Sequence, residues 1–357
     1  MQSKSKIREF SEKIKNYPNV IDFTLGDPQE DVHEDIEKTT IDSIKKGKTH
    51  YSTNIGEESL IKEIAKKEIF YKEDEIYITS GATQGLFEIL MSLLKKDEGI
   101  LIGIPSYPNY ISLVQYMNLE IQFFLFDSNY QINKQEIIKK ITPKTKAILI
   151  NYPHNPTATL YNKQSIQILH KIILEYDLFL IWDATYYECD IYPTLYHPLL
   201  HNHIFQIHSF SKAYKMSGYR IGYNCIPEKY IYSMVTLHRL SQSCISTFIQ
   251  NAAETALNTE TVSYIEQKKY VMNQLKQLKM DVIENNGPFY VYIDIKKYGM
   301  DSETFCNRLL EEEQVGVLPG KYFYEDGTIR MAICIPLEKC KEGCERLKKF
   351  IEKYENI

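Results

Sequence analysis

The chain contains 357 residues, of which 43% are hydrophobic and 25% charged, proportions typical of folded globular proteins rather than disordered or fibrous ones. Its 42 Lys and Arg and 47 Asp and Glu give a net charge of −5 without a basic stripe, so we expect no nucleic acid among its partners. The sequence has no recognisable signal peptide and no apolar run of membrane-spanning length. We therefore expect a cytoplasmic protein that does not bind a membrane.

Cysteine and histidine give no sign of a metal site. The seven cysteines are scattered without a CxxC pair, and the nine histidines do not fall at zinc-ligand spacing. We therefore expect reduced thiols and no metal.

The middle of the chain alternates helical patterns with short apolar runs. The helical patterns lie at 57–69 and 83–94, and the apolar runs at 75–79, 99–104, 146–150, 178–182 and 204–208. Short apolar runs separated by helices are typical of strands buried on both faces of a mainly parallel sheet. We expect an α/β fold here, with helices flanking the sheet.

The last hundred residues follow a different pattern, which predicts a smaller α+β domain. Its elements are a helix at 262–279, a strand at 289–295, a helix at 302–313, a strand at 327–335 and a closing helix from about Glu338 to Tyr354. We expect residues 1–44 to contribute to this small domain, 45–275 to form the large domain and 276–357 to complete the small one.

Polar residues follow three of the expected strands. Asn155, Asp183 and Lys212 are separated by 28 and 29 residues, each about one strand-plus-helix unit. Because ligands of open α/β sheets bind outside the carboxyl ends of the strands, we expect these side chains at one edge of the sheet. A lysine, a carboxylate and an amide with Tyr186 nearby suit a pyridine aldehyde cofactor, which needs a Schiff-base amine, a partner for its ring nitrogen and donors to its ring oxygen.

These residues also carry a family resemblance. The segment SFSKAYKMSGYRIGY (209–223) resembles the cofactor-lysine signature of the class I and II aminotransferases, pyridoxal-phosphate enzymes of fold type I similar to aspartate aminotransferase. Lys212 and Arg220 keep the eight-residue spacing of that signature. Nine further motifs occur in family order: LGDP (25–28), HYSTNIG (50–56), SGATQGL (80–86), PSYPNY (105–110), HNPT (154–157), DATYY (183–187), LSQSCIS (240–246), LPGKYF (318–323) and IRMA (329–332).

The resemblance implies a role for each residue around the cofactor ring. Lys212 would hold pyridoxal 5′-phosphate as a Schiff base and later move the substrate proton. Asp183 would contact the pyridine nitrogen and keep it protonated. Asn155 and Tyr186 would bind the ring oxygen, and Tyr107 stands where some relatives stack an aromatic ring on the cofactor.

The resemblance also implies a cradle for the phosphate. The amides of Ala82 and Thr83 open a helix, where an anion is favoured, and Ser209 and Arg220 would complete the cradle. Tyr51 resembles a residue that reaches the phosphate of the neighbouring subunit, which implies a homodimer with shared active sites.

The substrate is expected to bind through its α-carboxylate. Arg330 resembles the arginine of the family that clamps this group, with Gly26 and Asn155 beside it. The sequence departs from the family pattern at Ala158 and Lys215, where relatives often have glycine; alanine in particular restricts the backbone angles that glycine allows.

The predicted function is transfer of the amino group of an L-amino acid to a 2-oxo acid. Two alternatives stay open at this point. One is another pyridoxal-phosphate reaction, such as C–S β-elimination, decarboxylation or γ-elimination, because these differ only in which substrate bond is broken. The other is a pyridoxal-phosphate-binding regulatory protein with weak catalysis.

Overall fold

The computed structural model describes residues 5–284 and 286–354. Its helices are α1 (Lys6–Ile14), α2 (Glu34–Lys45), α3 (Glu58–Lys67), α4 (Ala82–Leu93), α5 (Pro108–Tyr116), α6 (Lys134–Ile138), α7 (Lys163–Tyr176), α8 (Glu228–Ser241), α9 (Thr247–Ala256), α10 (Ile265–Gln277), α11 (Ser302–Glu313) and α12 (Leu337–Tyr354). Its strands are β1 (Ile21–Asp22), β2 (Ile76–Thr79), β3 (Gly99–Ile104), β4 (Glu120–Leu125), β5 (Thr145–Asn151), β6 (Phe179–Asp183), β7 (Ile204–Ser209), β8 (Gly222–Cys225), β9 (Asp281–Val282), β10 (Tyr290–Asp294), β11 (Val315–Gly316), β12 (Leu318–Pro319) and β13 (Thr328–Ala332).

Seven strands form the central sheet in the order β2-β8-β7-β6-β5-β3-β4. The pairs from β7 through β6, β5 and β3 to β4 are parallel, whereas β8 runs antiparallel to both of its neighbours. The expected α/β fold with a mainly parallel sheet is therefore confirmed. Strands β4 and β8 were not identified from the sequence.

Burial on both faces explains why the central strands are apolar without alternation. In β6, Ile181 packs into the cluster that contains residues of α4, whereas Leu180 and Trp182 pack into the cluster that contains residues of α7. All three side chains are at most 1% exposed.

A second sheet has the order β12-β13-β10-β9, with antiparallel pairing throughout. The N-terminal strand β1 pairs in parallel with β11, and α1 contributes Ile7, Phe10 and Ile14 to the same apolar core as α11 and α12. Both chain ends therefore meet in one core. Helix α2 packs on α9, and α10 packs on α12; the domain boundaries at residues 44 and 275 stay a prediction.

No helix among the described residues is long and apolar enough to cross a membrane.

We expect Phe305→Ala to lower the free energy of unfolding by about 3–5 kcal/mol. Phe305 is fully buried in α11, and its ring lies 5.1 Å from that of Phe350 and 5.7 Å from that of Tyr298. Urea unfolding followed by circular dichroism measures the change. Tyr232→Ala, at a side chain that is 86% exposed, is the control and should cost less than about 0.5 kcal/mol. Equal losses for the two variants would contradict the assignment of this core.

Candidate active site

The carboxyl ends of three neighbouring strands form the edge of the central sheet where the polar residues gather. Strand β5 ends at Asn151, which pairs in register with Asp183 at the end of β6, and β7 ends at Ser209. Parallel pairing brings these ends to the same edge. The segments that carry Asn155 and Lys212 leave the sheet directly after β5 and β7.

The amine of Lys212 is half-buried and donates a hydrogen bond to the carbonyl oxygen of Gly26 at 2.6 Å. Burial lowers the pKa of Lys212, and the charge of Arg330 adds to this effect, while Asp27 opposes it. A lowered pKa increases the fraction of Lys212 that is present as the free, nucleophilic amine. The segment LGDP (25–28) thus contains both Gly26, whose carbonyl oxygen accepts the hydrogen bond, and Asp27, whose charge opposes the lowering of the pKa.

Both carboxylate oxygens of Asp183 accept hydrogen bonds. The hydroxyl of Tyr110 donates to Oδ2, and the backbone N–H of Thr185 donates to Oδ1 at 3.0 Å. Asp183 is 8% exposed, so these two bonds fix the orientation of a buried carboxylate. Tyr107 is half-buried, and its ring meets that of Tyr110 edge-on at 5.4 Å.

Tyr110 was missed at the sequence level. It lies in the same motif as Tyr107, PSYPNY (105–110), three residues further on and within the first turn of α5. This one-turn spacing puts both tyrosines on the same side of the segment, which was the available signal.

A chain of hydrogen bonds links the large sheet to the small one. Arg330 donates from Nη1 to Oδ1 of Asn155 at 2.8 Å, and Asn155 donates from Nδ2 to the hydroxyl of Tyr186 at 3.2 Å. The N–H of Asn155 is held in turn by Oδ1 of Asn151 at 2.8 Å. Asn155, Tyr186 and Arg330, which were predicted from the sequence, are thereby brought together.

Arg330 is 3% exposed, and its hydrogen bonds use only part of the five N–H donors of the guanidinium. Its Nη2 donates to the carbonyl oxygen of Thr24, but its Nε has no hydrogen-bond partner in the described part of the chain. The guanidinium lies between the rings of Tyr290 and Phe323, at 4.3 and 4.8 Å from their centroids. A buried guanidinium with an unused donor is suited to binding a carboxylate.

The N-terminus of α4 forms a second polar feature. Gly81 precedes this helix with φ +76° and no side-chain cap, and a Cβ there would lie 2.6 Å from Nη2 of Arg220. Thr83 and Arg220 are exposed and line an open cavity of about 570 Å³. An uncapped helix N-terminus beside an arginine favours an anion.

The remaining predicted residues occupy different positions. Ala82 follows Gly81 at the start of α4, and Ser209 is buried at the end of β7, where its hydroxyl accepts the N–H of Ser211 at 3.2 Å. Tyr51 is 90% exposed, and among the described residues no hydrogen bond joins its side chain to the rest of this constellation.

Both departures from the family pattern adopt left-handed backbone. Ala158 has φ +53° and Lys215 has φ +58°, in the region that glycine enters without steric cost. The local turns are therefore kept although the glycines are not.

A family model described as aminotransferase class I and II matches residues 18–347. The chain belongs to the class I and II aminotransferase family. Among its relatives, a probable aspartate/prephenate aminotransferase of Aquifex aeolicus is 30% identical over 94% of this chain and 91% of that protein. An aromatic-amino-acid aminotransferase 2 of Thermococcus litoralis is 28% identical over 99% of this chain and 97% of that protein.

Solved structures agree with this assignment. The crystal structure of an aromatic aminotransferase from Pyrococcus horikoshii is 27% identical, covers 98% of this chain and all of that chain, and superposes with a TM-score of 0.90. The expected family, fold and aminotransferase activity are therefore confirmed.

Beside the lysine segment, a buried histidine lies against two glutamates. His208 donates from Nδ1 to Glu188, lies 3.8 Å from Glu68 and pairs through Nε2 with Oε1 of Gln206 at 3.0 Å. Since Gln206 donates from Nε2 to Tyr71, its Oε1 faces the histidine, and both ring nitrogens of the histidine act as donors. Burial disfavours the charged ring, but Glu68 and Glu188 outweigh it and raise the pKa of His208 to about 9.

We expect the free energy of unfolding to fall by up to about 3 kcal/mol between pH 6.5 and 9.5. The folded pKa of His208 lies above its ordinary value of 6.5, so its contribution is complete below pH 6.5 and is lost as the pH passes about 9. Urea unfolding at a series of pH values measures this slope.

His208→Asn should reduce the slope strongly. His154→Asn is the matched control, because burial lowers the pKa of His154 to about 3 and keeps it neutral throughout this range. A slope that survives in His208→Asn would disprove the charged state of this residue.

Proposed function

We propose that the aminotransferase uses pyridoxal 5′-phosphate bound to Lys212. The observation that carries the proposal is the convergence at one sheet edge of a half-buried lysine with lowered pKa, the buried carboxylate of Asp183 and the Asn155–Tyr186 pair. This donor and acceptor set matches the aldehyde, the ring nitrogen and the ring oxygen of the cofactor.

The phosphate cradle supports the same assignment. Gly81 leaves the start of α4 open toward Arg220, and a dianionic phosphate needs such a set of donors. The amides of Ala82 and Thr83 and the hydroxyl of Ser209 would complete the cradle. The residues present therefore fit the cofactor.

When bound, pyridoxal phosphate supplies an aldehyde for an amine and a protonated ring that accepts the electron pair left when the substrate loses its Cα proton. Asp183 would hold the proton at the ring nitrogen, and Tyr110 fixes that carboxylate. The amine of Lys212 would take up the Cα proton and deliver it to the carbon of the cofactor that had been its aldehyde. Arg330 holds the substrate α-carboxylate and so orients the Cα–H bond.

We propose acidic or aromatic amino acids and the matching 2-oxo acids as substrates. This choice is supported by the relatives, whose names include aspartate/prephenate and aromatic-amino-acid aminotransferases. Arg330 recognises the α-carboxylate, a group that all of these substrates share.

We propose further that two copies of the chain form a homodimer in which Tyr51 reaches the phosphate of the partner subunit. Its 90% exposure supports this role, because the side chain is free to contact a second copy. A cytoplasmic location is supported by the cysteines, all seven of which are free thiols.

We expect Lys212→Ala to lose the visible absorbance band and at least about 10³-fold of kcat, because no other amine replaces it. Borohydride reduction of the wild-type holoenzyme followed by peptide mapping should label Lys212. Lys215→Asn, which lies in the same segment and tolerates the left-handed backbone, is the matched control and should keep both the band and the activity. Labelling of another lysine would refute the assignment.

The wild-type holoenzyme also distinguishes transamination from elimination and from a regulatory function. Bleaching by an amino donor and recovery with a 2-oxo acid indicate transamination. Release of ammonia and pyruvate indicates elimination, and a band that no amino acid changes indicates the regulatory function.

We expect Gly81→Ala to weaken pyridoxal-phosphate binding about tenfold or more, because its Cβ would meet the guanidinium of Arg220. The affinity for pyridoxal without phosphate should change little. Fluorescence titration measures both. Gly47→Ala, with φ +75° and no atom within 4 Å of the new Cβ, isolates the backbone strain. A similar loss in both variants would contradict a phosphate site at α4.

A further inference from the structure

Tyr290 is a buried tyrosine on β10 that touches three parts of the candidate site. Its hydroxyl lies 2.9 Å from that of Tyr186, and the guanidinium of Arg330 lies 4.3 Å from the centroid of its ring. A Cβ on Gly26 would lie 1.9 Å from the Tyr290 hydroxyl. The Tyr290 hydroxyl therefore occupies the space that a side chain on Gly26 would need, and Gly26 is the residue whose carbonyl oxygen binds Lys212.

Arg330 sets the direction of the hydrogen bonds in this group. A guanidinium only donates, so the Asn155 atom bound to Nη1 is its oxygen. The amide nitrogen of Asn155 then faces Tyr186 and donates to it. The Tyr186 hydroxyl then still has one acceptor position and its own proton for a second hydrogen bond.

The Tyr290 hydroxyl determines whether Tyr186 uses its acceptor position or its proton in the bond between the two tyrosines. Tyr290 is 2% exposed, and within the described residues Tyr186 is the only hydrogen-bond partner of its hydroxyl. When a ligand accepts the Tyr186 proton, both hydroxyl protons have acceptors if Tyr290 donates to Tyr186, whereas the reverse direction leaves the Tyr290 proton buried without an acceptor, which is costly. Tyr290 therefore donates, and the proton of Tyr186 stays available for a ligand.

We propose that Tyr290 is a positioning residue that donates its proton to Tyr186, so that Tyr186 donates its own proton to the cofactor's ring oxygen. The ring of Tyr290 has a second task, since it supports the guanidinium of Arg330 from one side by a cation–π contact. This inference rests on the proposed cofactor and on no other part of the proposed function.

The two tasks are separable by substitution. Tyr290→Phe removes the hydroxyl and keeps the ring, whereas Tyr290→Leu removes both. Tyr292→Phe is the matched control, because Tyr292 is a buried tyrosine two residues along the same strand whose hydroxyl accepts from Thr328 at 2.6 Å.

The first measurement is a pH titration of the holoenzyme's visible absorbance. A donor to the ring oxygen competes with the nitrogen that joins Lys212 to the cofactor, and so lets that nitrogen lose its proton at lower pH. We expect Tyr290→Phe to raise the midpoint by about 0.4 to 1 pH unit, the equivalent of one weakened hydrogen bond. Tyr292→Phe should leave the midpoint unchanged.

The second measurement separates KM from kcat. We expect Tyr290→Leu to raise KM for the amino donor about 3- to 30-fold through the lost support of Arg330, while Tyr290→Phe changes KM less than about twofold. Equal midpoints in wild type and Tyr290→Phe, or equal shifts in Tyr290→Phe and Tyr292→Phe, would overturn the proposal. Absence of any cofactor band in the wild type would instead refute the proposed cofactor, and with it this role.

Discussion

The hydrogen bond between Arg330 and Asn155 is the contact on which the site depends. Arg330 belongs to β13 in the small sheet and Asn155 follows β5 in the large one, so this buried bond joins the two sheets. A guanidinium this deeply buried is costly unless its donors are used, and the carbonyl of Thr24 takes another of them. Of its remaining N–H groups, the one at Nε has no hydrogen-bond partner among the described residues. The arginine proposed to recognise the substrate and the amide proposed to face the cofactor are therefore positioned by the same interaction.

The electrostatics of the site follow from burial. Burial lowers the pKa of Lys212 and favours its free amine, whereas Asp183 is kept in place by a tyrosine hydroxyl and a backbone N–H. Beside this pair, Glu68 and Glu188 raise the pKa of His208 in the core. The open start of α4 and Arg220 supply positive charge at the other end of the site. The lysine and the carboxylate that the proposed chemistry needs are thus each held by hydrogen bonds from within the fold.

Sequence patterns located most of the fold because the central strands are buried on both faces. The apolar run at 99–104 coincides with β3. The runs at 146–150, 178–182 and 204–208 match β5, β6 and β7, with each end within one residue of the end of the strand. Strand β4 was missed because it is a sheet edge with polar positions, and β8 because its sequence, GYNC, is short and polar. Tyr110 and Tyr290 were missed for another reason. With 28 tyrosines in the chain, composition does not distinguish a tyrosine that packs in a core from one that orients a functional group.

The regular spacing of Asn155, Asp183 and Lys212 was enough to bring them to one sheet edge, because successive parallel strands present their carboxyl ends on the same side. Motif order was enough to identify the family. Tertiary structure alone decided which groups orient them. The Lys212 amine meets a carbonyl 186 residues away, and Tyr186 meets a hydroxyl 104 residues away. Hydrogen bonds require a specific distance and direction, and between residues so far apart in the chain these are set by how the two sheets pack, which no local pattern encodes.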